Sequence, residues 1–403
     1  MALMPVADAL AAVLNGAAGL ATEAVALEDA HGRVLARDLA ALRTQPPQAM
    51  SAMDGYAVRA ADAATAPARL TVIGEIAAGK PAALGVGPGQ ALRIFTGGVI
   101  PDGADAVVIQ EDTVRDGDQV TITEAARPGR HIRPAGVDFT EGETLLHAGH
   151  RLNDRDLALA AGMNHPALPV YRRPRVAMLA TGDELVMPGS SLQPGQIVYS
   201  NGYALRALAR SEGAEVIDLG IAGDTVEATT AAIRKARDLG VDVLVTTGGA
   251  SAGDHDLVKQ SLEAEGTQIA FWKIAMRPGK PMMHGRLGPM RVIGLPGNPV
   301  SSYVCAFLFM VPLLRALSGM TEVMHRREPA ALGVELTAND QREDYLRAHL
   351  QAGDDGRLIA TPVDRQDSSL LARLSAAQAL IIRPPHAPAS AAGASCHILK
   401  LPL

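Results

Sequence analysis

Between residues 175 and 318 continuous apolar runs alternate with amphipathic stretches, and this pattern restricts the fold more than any other feature. Val176 to Leu179, Val216 to Leu219 and Val241 to Thr246 are apolar at consecutive positions, as strands buried on both faces must be. The segments near Tyr203 to Ser211 and from Val226 to Asp238 carry apolar residues at helical spacing instead. Buried strands with helices between them predict a central doubly wound, mostly parallel sheet covered on both sides.

That unit, drawn at 171–325, is too small for the whole chain. At 403 residues the sequence exceeds the size at which one core keeps growing. Short β-branched runs at Leu70 to Ile73, Ala106 to Ile109 and Val120 to Thr123, broken by turn residues, predict an inserted β-rich module at 46–146. Alternation at Leu346 to Leu350, with apolar runs at Leu380 to Ile382 and His397 to Leu399, predicts a small C-terminal β-domain at 326–403. Residues 1–45 and 147–170 remain as a helical or linker domain. In it Val6, Leu10, Val13 and Leu14 share a helix face stopped by Gly16 and suited to docking on the central unit, and Asn153 caps a helix through Ala161 that Gly162 ends. The expected class is thus multidomain α/β plus β.

Composition narrows the partners. A net charge of -6 and a pI near 6.0 argue against nucleic acid or an anionic membrane. Anionic ligands must then meet a few local cations, and lysine is scarce, six of 37 basic residues, which makes Lys273 and Lys280 conspicuous. Cys305 and Cys396 lack metal-ligand spacing. With no basic region before the alanine-rich N-terminal stretch, and with Pro312 and Arg315 inside the most apolar segment, Tyr303 to Leu317, a cytoplasmic protein is expected.

In a doubly wound sheet, ligands gather at the carboxyl ends of the strands, and three polar motifs fall there. Thr181-Gly182-Asp183-Glu184 sets two carboxylates in a glycine turn, although alone it reads equally as a capped loop. Gly223-Asp224-Thr225 follows the next strand, and Asp224 with Glu227 also makes a capping-box pattern. The stretch from Thr247 and Gly248 through Gly249, Ser251 and Gly253 to Asp254 has glycines dense enough to bring backbone N–H groups against a phosphate. Glu184, Asp224, Asp254 and Asp256 near such donors suit Mg2+, with the substrate supplying further oxygens. Arg277-Pro278-Gly279-Lys280 fixes two cations on a stiff turn fit for an oxyanion, or forms a solvated charged turn. Pro296, Gly297, Asn298 and Ser301 precede the apolar helix as an ordered loop or as its plain start. The histidines have no consistent partner and Gly-x-Ser-x-Gly is absent, so covalent catalysis is not expected.

Taken in order, Ser-Ala-Met-Asp-Gly-Tyr-Ala at 51–57, Arg-Ile-Phe-Thr-Gly at 93–97, Gly-Ala-Asp-Ala-Val-Val at 103–108, Thr-Gly-Asp-Glu-Leu at 181–185, Thr-Gly-Gly-Ala-Ser-Ala-Gly-Asp at 247–254, Pro-Gly-Lys-Pro at 278–281 and Gly-Leu-Pro-Gly-Asn-Pro-Val-Ser at 294–301 resemble the molybdopterin molybdenumtransferases. This MoeA family includes the gephyrin E-domain. The resemblance implies an elongated homodimer of four-domain subunits that takes adenylylated molybdopterin and molybdate, cleaves the phosphoanhydride with Mg2+ and releases AMP. It implies that Glu184 and Asp224 act at the phosphate and metal corner, with residues 181–184 and 247–256 holding the pterin phosphates. By the same resemblance Asp54, Thr96 and Asp138 act across the dimer, and Arg277, Lys280, Arg347 and Ser368 bind molybdate. Arg277 stands where the family usually has lysine, and Val137 where it usually has an acid. The alternatives are a pterin adenylyltransferase, which needs only the α/β unit, and a non-catalytic gephyrin-like scaffold. Possible protein partners are the pterin adenylyltransferase and molybdoenzyme maturation factors.

Overall fold

A computed structural model describes residues 3–80, 84–248 and 257–402. Its central sheet runs in the order Glu215–Ala222, Arg175–Thr181, Val243–Thr247, Met290–Leu295, Met283–Leu287, Gln268–Phe271. The first four strands are parallel, and Met283–Leu287 runs antiparallel to both its neighbours, so the sheet is mostly parallel with one reversed strand next to the edge. Side chains alternate across it as strand geometry requires. Val176, Met178, Val243, Val245 and Ile293 enter one core, with the helices Val6–Leu14, Asn201–Ser211 and Val311–Leu317. Ala177, Leu179, Leu244 and Val292 enter the other, beneath Val226–Asp238 and Leu257–Ala264. Consecutive apolar residues were therefore needed at these positions.

The segment Pro299–Leu317 is a continuous 19-residue helical stretch, longer than the sequence expectation and apolar enough to cross a membrane, but its apolar window is 83% buried within the protein. Near its middle the helix widens to a π-turn at Ala306–Met310. There the Phe307 carbonyl accepts a hydrogen bond from His325 Nε2 at 2.6 Å, and the two rings stack.

The N-terminal helix lies on the central unit, burying Val6, Ala9 and Val13 in the first core while Arg291 donates to the Val13 and Asn15 carbonyls. The expectation of a helical or linker domain at 1–45 and 147–170 needs correction. Among the described residues the α-helices there are only Val6–Leu14 and Asp154–Gly162. The rest is laid out as antiparallel pairs, Thr22–Ala26 with Ala167–Tyr171 and Leu39–Ala40 with Thr144–Leu146. These ladders carry the chain out and back around their own core of Leu35, Leu152 and Leu168. Asn153 forms a full capping box with Asp156, but Gly162 remains helical and the left-handed conformation falls on Asn164.

Beyond the ladders, a six-stranded mixed sheet ordered Ala106–Ile109, Gly55–Val58, Gln90–Ile94, Ala68–Ile76, Gln119–Ile122, Thr113–Asp116 forms the β-module. In the C-terminal region, Glu343–Ala352, Leu358–Pro362, Glu328–Leu332, Ser395–Lys400 and Ala379–Arg383 pair in turn, and the last returns to the first. That pairing closes a small barrel. The central unit contributes Met276–Arg277 to it, paired in parallel with Glu343 and Asp344.

Candidate active site

A cavity of about 1080 Å³ opens where the parallel strands end, between the central sheet and the barrel. Thr181, Gly182 and Glu184 line it from the first strand end, Asp224 from its neighbour, Thr247 and Gly248 from the third, and Pro296, Gly297, Asn298 and Ser301 from the fourth. Gly248 has φ +87, and a Cβ there would lie 2.3 Å from the Thr181 carbonyl oxygen, so these two strand ends approach closely only with glycine at 248. The Thr181 hydroxyl is buried and finds no hydrogen-bond partner among the described residues, a polar group left over on a cavity wall.

Asp183 and Asp224 are tied reciprocally: the Asp183 amide donates to Asp224 Oδ2 at 3.2 Å, and the Asp224 amide to Asp183 Oδ1 at 3.0 Å. Helix capping falls instead to Thr225, whose hydroxyl accepts the Ala228 amide, so the capping-box reading of Asp224 and Glu227 is set aside. Asp224 stays on the wall, whereas Asp183 is not among the lining residues. Gly249, Ser251, Gly253, Asp254 and Asp256 lie outside the described residues.

The opposite wall carries cations. Lys280 is exposed to the cavity and makes no ion pair among the described residues. Its turn is fixed from below: Gly279 has φ +112, a Cβ there would meet Cys305 Sγ at 2.3 Å, and the thiol donates to the Gly279 carbonyl. Arg277 also lines the wall, but its guanidinium is held bidentately by Asp344 at 2.8 and 2.7 Å. That pairing raises the Arg277 pKa further. Arg342, which the sequence reading did not single out, supplies a further cation; it is paired with Asp340, whose carboxyl its hydrogen bonds hold down at about 2.

Arg347 is placed differently from the expectation. It is completely buried and does not line the cavity, and three of its five side-chain N–H donors bond the 365–367 loop. Ser368 does line the cavity, and its Oγ accepts from Asn298 Nδ2 at 2.9 Å, joining the barrel to the loop after Met290–Leu295. Asn201, Gln366 and Asp367 are wall residues the sequence did not reveal. No glycine-rich motif marks them, and they meet the site only through tertiary packing.

Asp54, Thr96 and Asp138 belong to the β-module and are absent from this wall. Asp54 Oδ1 accepts both the amide and the hydroxyl of Thr96, at 2.7 and 2.8 Å, which lowers the Asp54 pKa.

Family models cover this architecture from end to end. The MoeA N-terminal region, domains I and II, matches residues 4–163; a probable molybdopterin binding domain matches 177–316; and the MoeA C-terminal region, domain IV, matches 329–401. A molybdopterin molybdenumtransferase of Nostoc sp. is 38% identical over 393 residues, covering 95% of this chain and 89% of that one. The chain belongs to the MoeA family. A Bacillus subtilis molybdopterin molybdenumtransferase agrees at 36% identity over 94% of this chain and 90% of its own. Two crystal structures of MoeA proteins from Pyrococcus horikoshii superpose with TM-scores of 0.84 and 0.85, at 32% and 28% identity, each over 99% of this chain and at least 99% of theirs. As a MoeA-family molybdopterin molybdenumtransferase, the protein serves molybdenum cofactor biosynthesis, and the expected architecture of a central α/β unit with β-rich units before and after it holds.

Proposed function

We propose that the cavity inserts molybdenum from molybdate into adenylylated molybdopterin, with Mg2+-dependent cleavage of the phosphoanhydride and release of AMP. The observation that carries this reading is the convergence, on one cavity, of strand-end carboxylates at Glu184 and Asp224 with a cationic wall at Lys280 and Arg342. Such a division keeps a tetrahedral dianion apart from a metal-bound phosphate, so that both reactants are positioned together.

Glu184 and Asp224 offer the hard oxygen donors that Mg2+ prefers. Among the described residues no three acids, histidines or cysteines cluster; Asp254 and Asp256, outside the described residues, together with the substrate's phosphate oxygens and water, would complete the coordination. When bound, Mg2+ neutralises charge as the anhydride breaks. Asp183 holds the backbone that presents Asp224, and Thr181, Gly248, Asn298 and Ser301 offer hydroxyl, amide and backbone groups to the pterin phosphate. Lys280, Arg342 and Ser368 confine molybdate, with Arg277 restrained by Asp344 beside them. In a homodimer Asp54, Thr96 and Asp138 reach the cavity from the second copy.

Wild-type protein supplied with adenylylated molybdopterin, molybdate and Mg2+ is expected to release AMP, and Glu184→Gln to lose at least about a hundredfold in rate. AMP release by Glu184→Gln at the wild-type rate, or none from the wild type, would overturn the reading.

A further inference from the structure

The strand Glu215–Ala222 does not run regularly beside Arg175–Thr181. Asp218 stands opposite Met178 and Gly220 opposite Leu179, so Leu219 is an extra residue. Such bulges are rare between parallel strands, and each one slips the register by a position. The packing shows the slip: Ile217 and Leu219 face the second core at the usual spacing of two, and then Ala222 faces it where Ile221 would have been due. In a regular ladder Ile221 would stand opposite Thr181 in place of Ala222, and Asp224 would lie about 3 Å farther past the strand end.

The bulge is held from the side. Asp218 Oδ1 accepts the Gly220 amide at 3.0 Å, with Gly220 at φ +80, and Asp218 Oδ2 accepts from Arg206 Nη1 at 2.6 Å. Arg206 is buried, and its guanidinium lies over the rings of Tyr203 and Tyr199 at 4.7 and 6.0 Å. Ion pairs between exposed groups contribute little, but here the loss of Asp218 would strand a buried cation. Arg206 belongs to the helix Asn201–Ser211, whose first residue donates from Nδ2 to the Gly297 carbonyl at 2.7 Å on the cavity wall. One ion pair thus joins the helix that carries Asn201 to the strand that delivers Asp224.

We propose that Arg206 and Asp218 are positioning residues for molybdenum transfer, their ion pair holding the bulge that sets the register in which Asp224 reaches the cavity. The catalytic part rests on the Mg2+ corner proposed above, and the register part does not. Hydrogen exchange on full-length Arg206→Met is expected to speed the Ile221 and Ala222 amides by at least about tenfold, while Val216 and Ile217, before the bulge, keep their protection. In AMP-release assays the same variant is expected to need about tenfold more Mg2+ for half-maximal rate, with kcat at saturating Mg2+ and the KM for molybdate each changed by less than about twofold. Because the pair acts as a unit, adding Asp218→Asn, which keeps an acceptor for the Gly220 amide, is expected to cost less than about twofold more.

Wild-type exchange at Ile221 and Ala222 in Arg206→Met overturns the proposal. So does an unchanged Mg2+ requirement, a rise in the KM for molybdate as large as that for Mg2+, or a double variant whose Mg2+ requirement is the product of the single effects. If Arg206→Met also frees Val216 and Ile217, Gly220→Ala decides in its place: a Cβ there meets nothing within 4 Å, but alanine at φ +80 is strained, so the bulge alone is perturbed. Faster Ile221 and Ala222 exchange together with a raised Mg2+ requirement supports the proposal, and either one unchanged overturns it. A wild type that releases no AMP, or releases it without Mg2+, sinks the proposed reaction and with it the catalytic part of this role, while the exchange data still judge the register.

Discussion

A buried histidine and a half-buried one make the stability of the central unit depend on pH in a way that can be worked out in advance. His284 Nδ1 donates to the Val292 carbonyl at 3.0 Å between strands, and His325 Nε2 to Phe307 at the π-turn. Burial lowers both pKa values from 6.5 to about 4, opposed by the carbonyl bonds and reinforced by Arg291 at the first and Arg315 at the second. A base whose folded pKa is depressed favours folding above its unfolded value and loses that contribution as pH falls through the window from 6.5 to about 4. At pH 5 the linkage gives a loss of about 2 kcal/mol for each histidine relative to pH 8, about 4 kcal/mol together. The sole tryptophan, Trp272, packs against the second core of this unit, so its fluorescence in urea titrations follows the relevant transition. His325→Gln keeps an N–H donor but cannot titrate, and is expected to halve the loss between pH 8 and pH 5. A variant that retains the full loss, or a His325 ring titrating near 6.5 by NMR, would refute the reasoning.

Two more outcomes follow from the cation wall. Gly279→Ala drives a Cβ into Cys305 Sγ and puts alanine at φ +112, so a loss of roughly 3 kcal/mol and weaker molybdate binding by calorimetry are expected; adding Cys305→Ala should restore only part, because the dihedral strain stays. Asp344→Asn takes the charge off the bidentate partner of Arg277 and is expected to tighten molybdate by about threefold at low salt, an effect that fades as salt screens it; unchanged affinity would mean that Arg277 does not reach the oxyanion.

Much of the fold could be read in the sequence, because Val176 to Leu179 and Val241 to Thr246 have no solvent face to encode. The capped helix after Asn153 was plain because its cap is local, and the helix Val226–Asp238 through its periodicity, although its cap falls on Thr225 and not on Asp224. Ladders such as Thr22–Ala26 with Ala167–Tyr171 were not, since their partners lie far apart in sequence and their exposed faces carry no clean alternation. At the site, the glycine turns at 182 and 248 and the Lys280 turn stood out through residues with few other uses. The resemblance named Arg347 and not Arg342, five positions earlier, yet it is Arg342 that lines the cavity while Arg347 is buried. One lies near the edge where the strand enters the barrel and the other in its interior, and that distinction is set by packing.

The two-residue strand Met276–Arg277 belongs to the central unit by sequence but is hydrogen-bonded to the barrel, which follows more than fifty residues later. During synthesis the strand-end carboxylates and the Lys280 turn leave the ribosome well before Glu343, Asp344 and Ser368 exist to meet them. A half-made chain can thus present the strand-end carboxylates but not the barrel's share of the wall. The cavity becomes whole only as the last stretch of the protein folds back on it.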